Sequence, residues 1–339
     1  MEISFHNREK EIREITKILS NRPDLITFVY GPINSGKTEL FQHLINELPK
    51  EFVVFYVNLR GRFIRNYEDF IRVLFKFRRE SREDILREIL KETVKVFGGV
   101  PVPESLLDAI FGREEREDVF EFLEELFMEI SRKKKPVLIL DELQVIGDLK
   151  IDDFLIYKIF NLFVRLTKEL HVCHVFAITS DSLFMERVYT EAMLHGRCRY
   201  LLVDDFDHST AVEFLRRHGF DKEEIELTWE YFGGKPVYLV EAVKERDRLR
   251  EFCEEMLKVR TSQILDTIYG IEDKTFFERV LSYLREVSEK ETIRYRKIDE
   301  TLKFCVKNNI LFVDPVERIA RPQSRLDLLA VRKVIKEVG

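Results

Sequence analysis

At 339 residues the chain is longer than most single hydrophobic cores, so two or three compact units are expected. Apolar residues make up 45% and charged residues 35%, a surplus of charge that fits surface ion-pair networks and heat adaptation. A net charge of −6, four scattered cysteines without a C-x-x-C pair, and no 18-residue apolar run exclude a basic-coated surface, a zinc or disulfide scaffold and a membrane span; a reducing cytoplasm is the expected home.

The start, Met1-Glu2-Ile3-Ser4-Phe5-His6, does not read as a signal peptide. Asn7 can cap a first amphipathic helix, with Ile12, Ile15, Ile18 and Leu19 at helical spacing and an end near Asn21-Arg22-Pro23. Leu25 to Tyr30 is a short β-prone run, and Gly31-Pro32-Ile33-Asn34-Ser35-Gly36-Lys37-Thr38 follows it. That octet fits the G-x-x-x-x-G-K-[ST] phosphate-binding loop, and Glu39 to Ile45 continues with helical spacing, so the motif lies between a strand and a helix. In such a loop the glycines let backbone N–H groups turn toward phosphates, and the helix start adds positive potential. Lys37 would reach the β- and γ-phosphates and the Thr38 hydroxyl would ligate Mg²⁺. A glycine-containing turn that binds nothing is the bland alternative.

Phe52 to Val57 predicts a buried parallel strand, leaving through the turn Asn58-Leu59-Arg60-Gly61 and completing a βαβ unit. From Tyr67 to Arg132 the pattern predicts helices broken around Gly98 to Pro103, with Arg78 to Arg87 and Arg113 to Glu125 as solvated faces. Val137 to Leu140 is an apolar strand ending in Asp141-Glu142, the Walker B pattern. Asp141 would hold Mg²⁺, and Glu142 would orient and polarise an attacking water.

Phe154 to Leu170 predicts another helix and Val172 to Ile178 another buried strand, ending in Thr179-Ser180-Asp181 at the carboxyl edge of the sheet. Ser180, or less readily Thr179, could touch the γ-phosphate or the attacking water, and a cap on the helix beginning near Leu183 explains it equally well. Arg197, before the strand Tyr200 to Val203, is placed near the ligand edge, where an arginine stabilises charge on a transferred phosphoryl group; a surface arginine is the commoner explanation. Residues 207–272 read as a mostly helical lid, with a helix boundary at Gly233-Gly234-Lys235-Pro236.

The last unit predicts a helix Lys274 to Val287, a second around Ile298 to Cys305, a hairpin Ile310 to Ala320 and a final helix Leu326 to Val338, together winged-helix-like. Residues 273–339 carry 15 Lys and Arg against 11 Asp and Glu, so any DNA contact would fall there.

With these residues in hand, the chain resembles the archaeal ATPase family within the STAND branch of AAA+ proteins. The resemblance rests on Phe5-His6-Asn7-Arg8-Glu9, the phosphate loop, Leu140-Asp141-Glu142, Thr179-Ser180-Asp181, His195-Gly196-Arg197, Gly233-Gly234-Lys235-Pro236, and the tail Leu311 to Pro315 with Arg321-Pro322-Gln323-Ser324-Arg325. It implies that Asn7-Arg8-Glu9 lies beside the adenine, that Ser180 is sensor 1, and that Gly234 and Pro236 form a lid motif closing over the nucleotide. The lid has no arginine at the second-sensor place, which leaves that role to Lys235 or the backbone.

The expected fold class is α/β: a P-loop NTPase parallel sheet domain (1–206), a helical lid (207–272) and a winged-helix-like domain (273–339). ATP or ADP and Mg²⁺ are the expected cofactors. The nucleotide set is Asn7, Arg8, Gly31, Pro32, Asn34, Ser35, Gly36, Lys37, Thr38, Glu39, Gly234 and Pro236; the metal set is Thr38 and Asp141; the catalytic set is Lys37, Glu142, Arg197 and Ser180. The function expected is a slow ATP-hydrolysing switch whose nucleotide state controls the lid and the C-terminal unit. A nucleotide-gated DNA-binding regulator is the alternative. A protein partner, a nucleotide-dependent homo-oligomer, and whether Arg197 acts within its chain or across subunits stay open.

Overall fold

The computed structural model describes residues 3–62, 64, 67–91, 95–105, 119–147, 153–190 and 194–338. Strands β1 (Ile26–Tyr30), β2 (Phe52–Asn58), β3 (Phe75–Arg78), β4 (Lys95–Phe97), β5 (Val100–Pro103), β6 (Lys135–Asp141), β7 (His174–Ile178) and β8 (Cys198–Leu202) belong to the first half of the chain. Six of them form one sheet in the order β4-β2-β6-β7-β1-β8, parallel at every pairing. β1 and β7 are buried along their whole length, which is why they read as unbroken apolar runs rather than alternating ones.

Helices Glu9–Ser20 and Lys37–Glu47 cover one face of the sheet, packing Ile15, Leu19, Leu40 and Phe41 on Val29, Val54 and Ile139. The other face packs Phe28, Phe55, Leu138 and Val175 against helices Val119–Ser131 and Asp153–Val164 through Leu123, Phe127 and Phe163. A wholly helical reading of Tyr67 to Arg132 is overturned. β3 and β5 pair in parallel as a separate two-stranded sheet, and β4 extends the main sheet by pairing with β2. Part of the charged run Arg78 to Arg87 joins helices instead of facing only water: Arg82 bonds Glu125 and Glu129 of Val119–Ser131, both at 3.0 Å. The charged positions 113–118 lie outside the described residues.

The remaining chain builds helices His208–Arg217, Lys222–Phe232, Pro236–Lys244 and Leu249–Tyr269, then Lys274–Lys290 and Glu300–Lys307, and ends on Arg325–Val338. Between these lie β9 (Ile293–Arg294), β10 (Leu311–Asp314) and β11 (Ile319–Pro322), an antiparallel sheet in the order β10-β11-β9. The hairpin is the one expected from the sequence, and β9 is an additional strand on its edge. One apolar core runs from Ala211 through Leu257 and Ile264 to Leu326 and Val334, so lid and terminal unit are packed as one body across position 272. The fold class is the expected one: a P-loop parallel sheet domain with a helical lid and a winged-helix-like terminal unit.

Candidate functional site

The carboxyl ends of β1, β6 and β7 bring the site together, because parallel strands deliver all their exits to one edge of the sheet. Leaving β1, the chain turns at Gly31, whose φ is 156° and where a Cβ would stand 2.1 Å from the Val203 carbonyl oxygen. Only glycine fits that approach. Helix Lys37–Glu47 begins directly after Gly36, so its free N–H groups and positive dipole end face the loop.

Lys37 is buried, and its ammonium donates to the carbonyl oxygens of Gly31 at 3.1 Å and Pro32 at 2.8 Å and to Ser35 Oγ at 3.4 Å. Burial, followed by the neighbouring charge of Lys235, lowers its pKa to about 7; Glu142 and Asp141 oppose that shift. The Thr38 hydroxyl donates to Asp141 Oδ2 at 2.8 Å, and the Tyr56 hydroxyl donates to the same oxygen at 2.6 Å.

Glu142 adopts φ 61°, a left-handed conformation uncommon outside glycine and asparagine, and its N–H donates to Asp141 Oδ1 at 2.9 Å. One Glu142 oxygen is 2.6 Å from the Arg60 guanidinium; the other accepts from the Gln144 amide. Gln144 in turn accepts from the Thr179 hydroxyl at 2.8 Å. Arg60 and Gln144 were not singled out from the sequence. Arg60 follows the carboxyl end of β2, and the rule that every strand exit in a parallel sheet faces the ligand edge could have found it.

Arg8, also left-handed at φ 70°, reaches from the amino-terminal segment to the Ser35 carbonyl oxygen and, at 2.7 Å, to that of Asp204. Its guanidinium lies 4.5 Å from the centre of the Phe206 ring. Asn7 bonds the Thr210 hydroxyl at 3.3 Å. In the lid, a Cβ on Gly234 would meet the Phe206 carbonyl oxygen at 1.7 Å, and Pro236 opens its helix at the first position. Lys235, 2% exposed, pairs with Asp205 at 2.8 Å and donates to the Ile33 carbonyl oxygen at 3.1 Å. The Ile33 N–H donates to Gln323 Oε1 at 3.2 Å, so both ends of this loop residue are held from outside the sheet domain.

A cavity of about 600 Å³ opens beside the loop. Arg8, Asn34, Gly36, Lys37, Thr38, Glu39, Glu142, Ser180 and Pro236 line it, together with Arg60 and Asn58. Gly31, Pro32, Ser35 and Asp141 stand behind this wall as its backbone and hydrogen-bond support. Arg197 is not brought to the site. Its carbonyl accepts from Ile26 N–H at the beginning of β1, and Cys198 pairs with Ile26. Arg197 is therefore exposed at the amino edge, a strand length of about 16 Å from the loop. The sequence reading placed it near the ligand edge; the parallel sense of β8 puts it at the opposite one.

Residues 5–242 match the model of an ATPase domain found predominantly in Archaea, and residues 250–335 match that of the C-terminal domain of MJ1010-like ATP-binding proteins. An ATP-binding protein of Pyrococcus abyssi is 49% identical over 336 residues, covering 98% of both chains. One of Methanocaldococcus jannaschii is 48% identical over 355 residues, covering 99% of this chain and 98% of the relative. Among solved structures, the fold matches a Walker-type ATPase of Pyrococcus abyssi with a TM-score of 0.65 at 19% identity, over 97% of this chain and 96% of that one.

Proposed function

We propose that this chain, which belongs to the archaeal ATPase family, is a Mg-dependent ATP-hydrolysing switch of the STAND type. The observation that carries the hydrolytic part is the convergence of Lys37, the Thr38 and Asp141 oxygen pair and Glu142 on one cavity wall.

The residues fit the groups they would hold. Lys37 has its own loop oxygens as partners, which it can leave for stronger anionic acceptors that favour its charged form. Thr38 and Asp141 offer hard oxygen donors suited to magnesium, which supplies charge neutralisation when bound. Glu142 orients the attacking water and takes up its proton, once Arg60 has released the carboxylate oxygen it now pairs with. Ser180, on the same wall, is placed to hydrogen-bond the water or the terminal phosphate.

The switch part is supported by the Ile33 peptide. The lid holds its carbonyl through Lys235 and the terminal unit holds its N–H through Gln323, so a change in the loop is felt by both. Because lid and terminal unit share a core, they would respond together.

The test is steady-state ATP hydrolysis with Mg²⁺, with and without duplex DNA, beside Glu142→Gln. Turnover is expected to fall by about 10² to 10⁴ in the variant while ATP binding is kept. Parent-like turnover in Glu142→Gln would remove Glu142 from the chemistry.

A further inference from the structure

Tyr56 is the residue beside the site that the proposed chemistry leaves without a role. It lies within β2, 6% exposed, in a strand whose other buried aromatic side chains are Phe52 and Phe55. Its ring meets Phe97 edge to face at 5.7 Å, a contact that a phenyl ring would make as well. Packing therefore does not require the hydroxyl, and a buried hydroxyl is costly unless it is bonded.

Its partner follows from the register of the sheet. Asn58 stands opposite Asp141 where β2 and β6 pair, and Tyr56, two residues back, shares the face of Asn58. From there the hydroxyl reaches Asp141 Oδ2 at 2.6 Å, the oxygen that also accepts from Thr38 at 2.8 Å. The other oxygen, Oδ1, accepts from the Glu142 N–H at 2.9 Å. Asp141 is 1% exposed and forms no ion pair among the described residues, so these three neutral donors hold the carboxylate in place.

Ligand binding would make different demands on the three. The Thr38 hydroxyl lines the cavity and is the oxygen offered to the cation. Glu142 lines it too, and its side chain changes partner when it leaves Arg60. Tyr56 stands behind the cavity wall, in a strand paired on both sides with β4 and β6, so it touches no ligand and need not move. It is the donor that stays on Oδ2 when Thr38 turns to the cation. A fixed donor on a ligating carboxylate sets the orientation of that ligand, and metal affinity depends on such orientation as well as on the ligands themselves.

We propose that Tyr56 is the positioning residue of the divalent-cation site, its hydroxyl holding the Asp141 carboxylate toward Thr38 and the cavity. The inference rests on the nucleotide and magnesium reading above, and it adds a residue that touches neither group.

The experiment is binding of Mn²⁺, a spectroscopic substitute for Mg²⁺, to the ADP-loaded full chain and to its Tyr56→Phe variant, read from the electron paramagnetic resonance signal of free Mn²⁺. ADP affinity in EDTA and a melting curve without metal are measured beside it. Tyr56→Phe removes one oxygen and keeps the ring. The Gln42 and Asn58 amides that also approach the hydroxyl are at least partly open to water, so the variant strands no buried group. Mn²⁺ affinity should fall about tenfold while ADP affinity in EDTA is kept, and the Mg²⁺ concentration for half-maximal hydrolysis should rise in step. Parent-like Mn²⁺ affinity in Tyr56→Phe overturns the inference. So does an equal loss of Mn²⁺ and metal-free ADP binding, or a variant that fails to fold with its ring intact, since either makes the hydroxyl a scaffold contact. A parent that binds no ADP, or binds ADP without taking up Mn²⁺, fails the underlying reading and the inference with it, a result told apart because it appears before any substitution.

Discussion

The two sides of the phosphate loop are held by different chemistry. On the cavity side each contact involves an ionisable side chain with substitutes close at hand: Lys37 on its own loop carbonyls, Asp141 with the Thr38 hydroxyl, Glu142 on Arg60. On the outer side most contacts to the terminal unit have a neutral donor and are at least partly buried, the Arg321–Asp204 ion pair apart. Gln323 accepts from Ile33 and donates to the Leu311 carbonyl at 3.0 Å, the Tyr30 hydroxyl donates to Asp314 at 3.0 Å, and Val313 N–H donates to the Ser182 hydroxyl at 3.2 Å. A polyanion and a cation can replace the first set with bonds at least as strong. The second set has no such replacement, because a buried group that loses its partner gains nothing in exchange. The cavity side is thus built to exchange partners, and the outer side to keep its bonds and carry the terminal unit with the loop.

The largest expected effect comes from emptying the cavity side. Lys37→Ala should weaken ATP binding about a hundredfold or more, from the loss of charge-assisted bonds to the phosphates. Binding within threefold of the parent would break the comparison at its strongest point.

Gln323→Ala tests the outer side. It strands the Ile33 N–H and the Leu311 carbonyl, and should cost about 1–3 kcal/mol in a denaturant titration while ATP affinity stays within about twofold. A gain in ATP affinity would instead make Gln323 a clamp that the nucleotide has to open.

Close to neutral pH the smallest effect is set by proton linkage, and it grows as the pH rises. In the free chain Lys37 has a pKa near 7, and phosphates favour its charged form, so the bound pKa is higher. Binding then takes up protons at and above neutral pH, and ATP affinity should fall by up to about tenfold for each pH unit above 7 until the bound pKa is reached. Calorimetry in buffers of differing ionisation enthalpy measures that uptake. Proton release, or no exchange, would show that Lys37 is already charged on its loop carbonyls.

Much of the site was legible because its parts are contiguous or end strands. The phosphate loop is eight consecutive residues, and Asp141-Glu142 closes an apolar run, so local pattern carried both. β3, β4 and β5 were missed because they are three or four residues long and lie in a segment whose charge pattern reads as helix. Arg197 falls at the amino edge because it precedes β8, and in a parallel sheet only residues that follow a strand reach the ligand edge. Arg60 and Gln144 carry no motif and acquire a role through the one carboxylate they share.

What the sequence determined by itself is a set of residue types at short spacing: the phosphate-loop octet, the Thr38 and Asp141 oxygens and the Glu142 carboxylate, which the proposed function assigns to phosphates, magnesium and water. The backbone of a strand, a turn and a helix start fixes that spacing locally. Tertiary structure alone decided what those groups face. Ile33 meets Gln323 across 290 positions, Asn7 meets Thr210 across 203, and His6 comes to rest between Phe206 and Phe214. Contacts that distant depend on how the lid and terminal unit pack on the sheet edge, and no local pattern of residues encodes that packing.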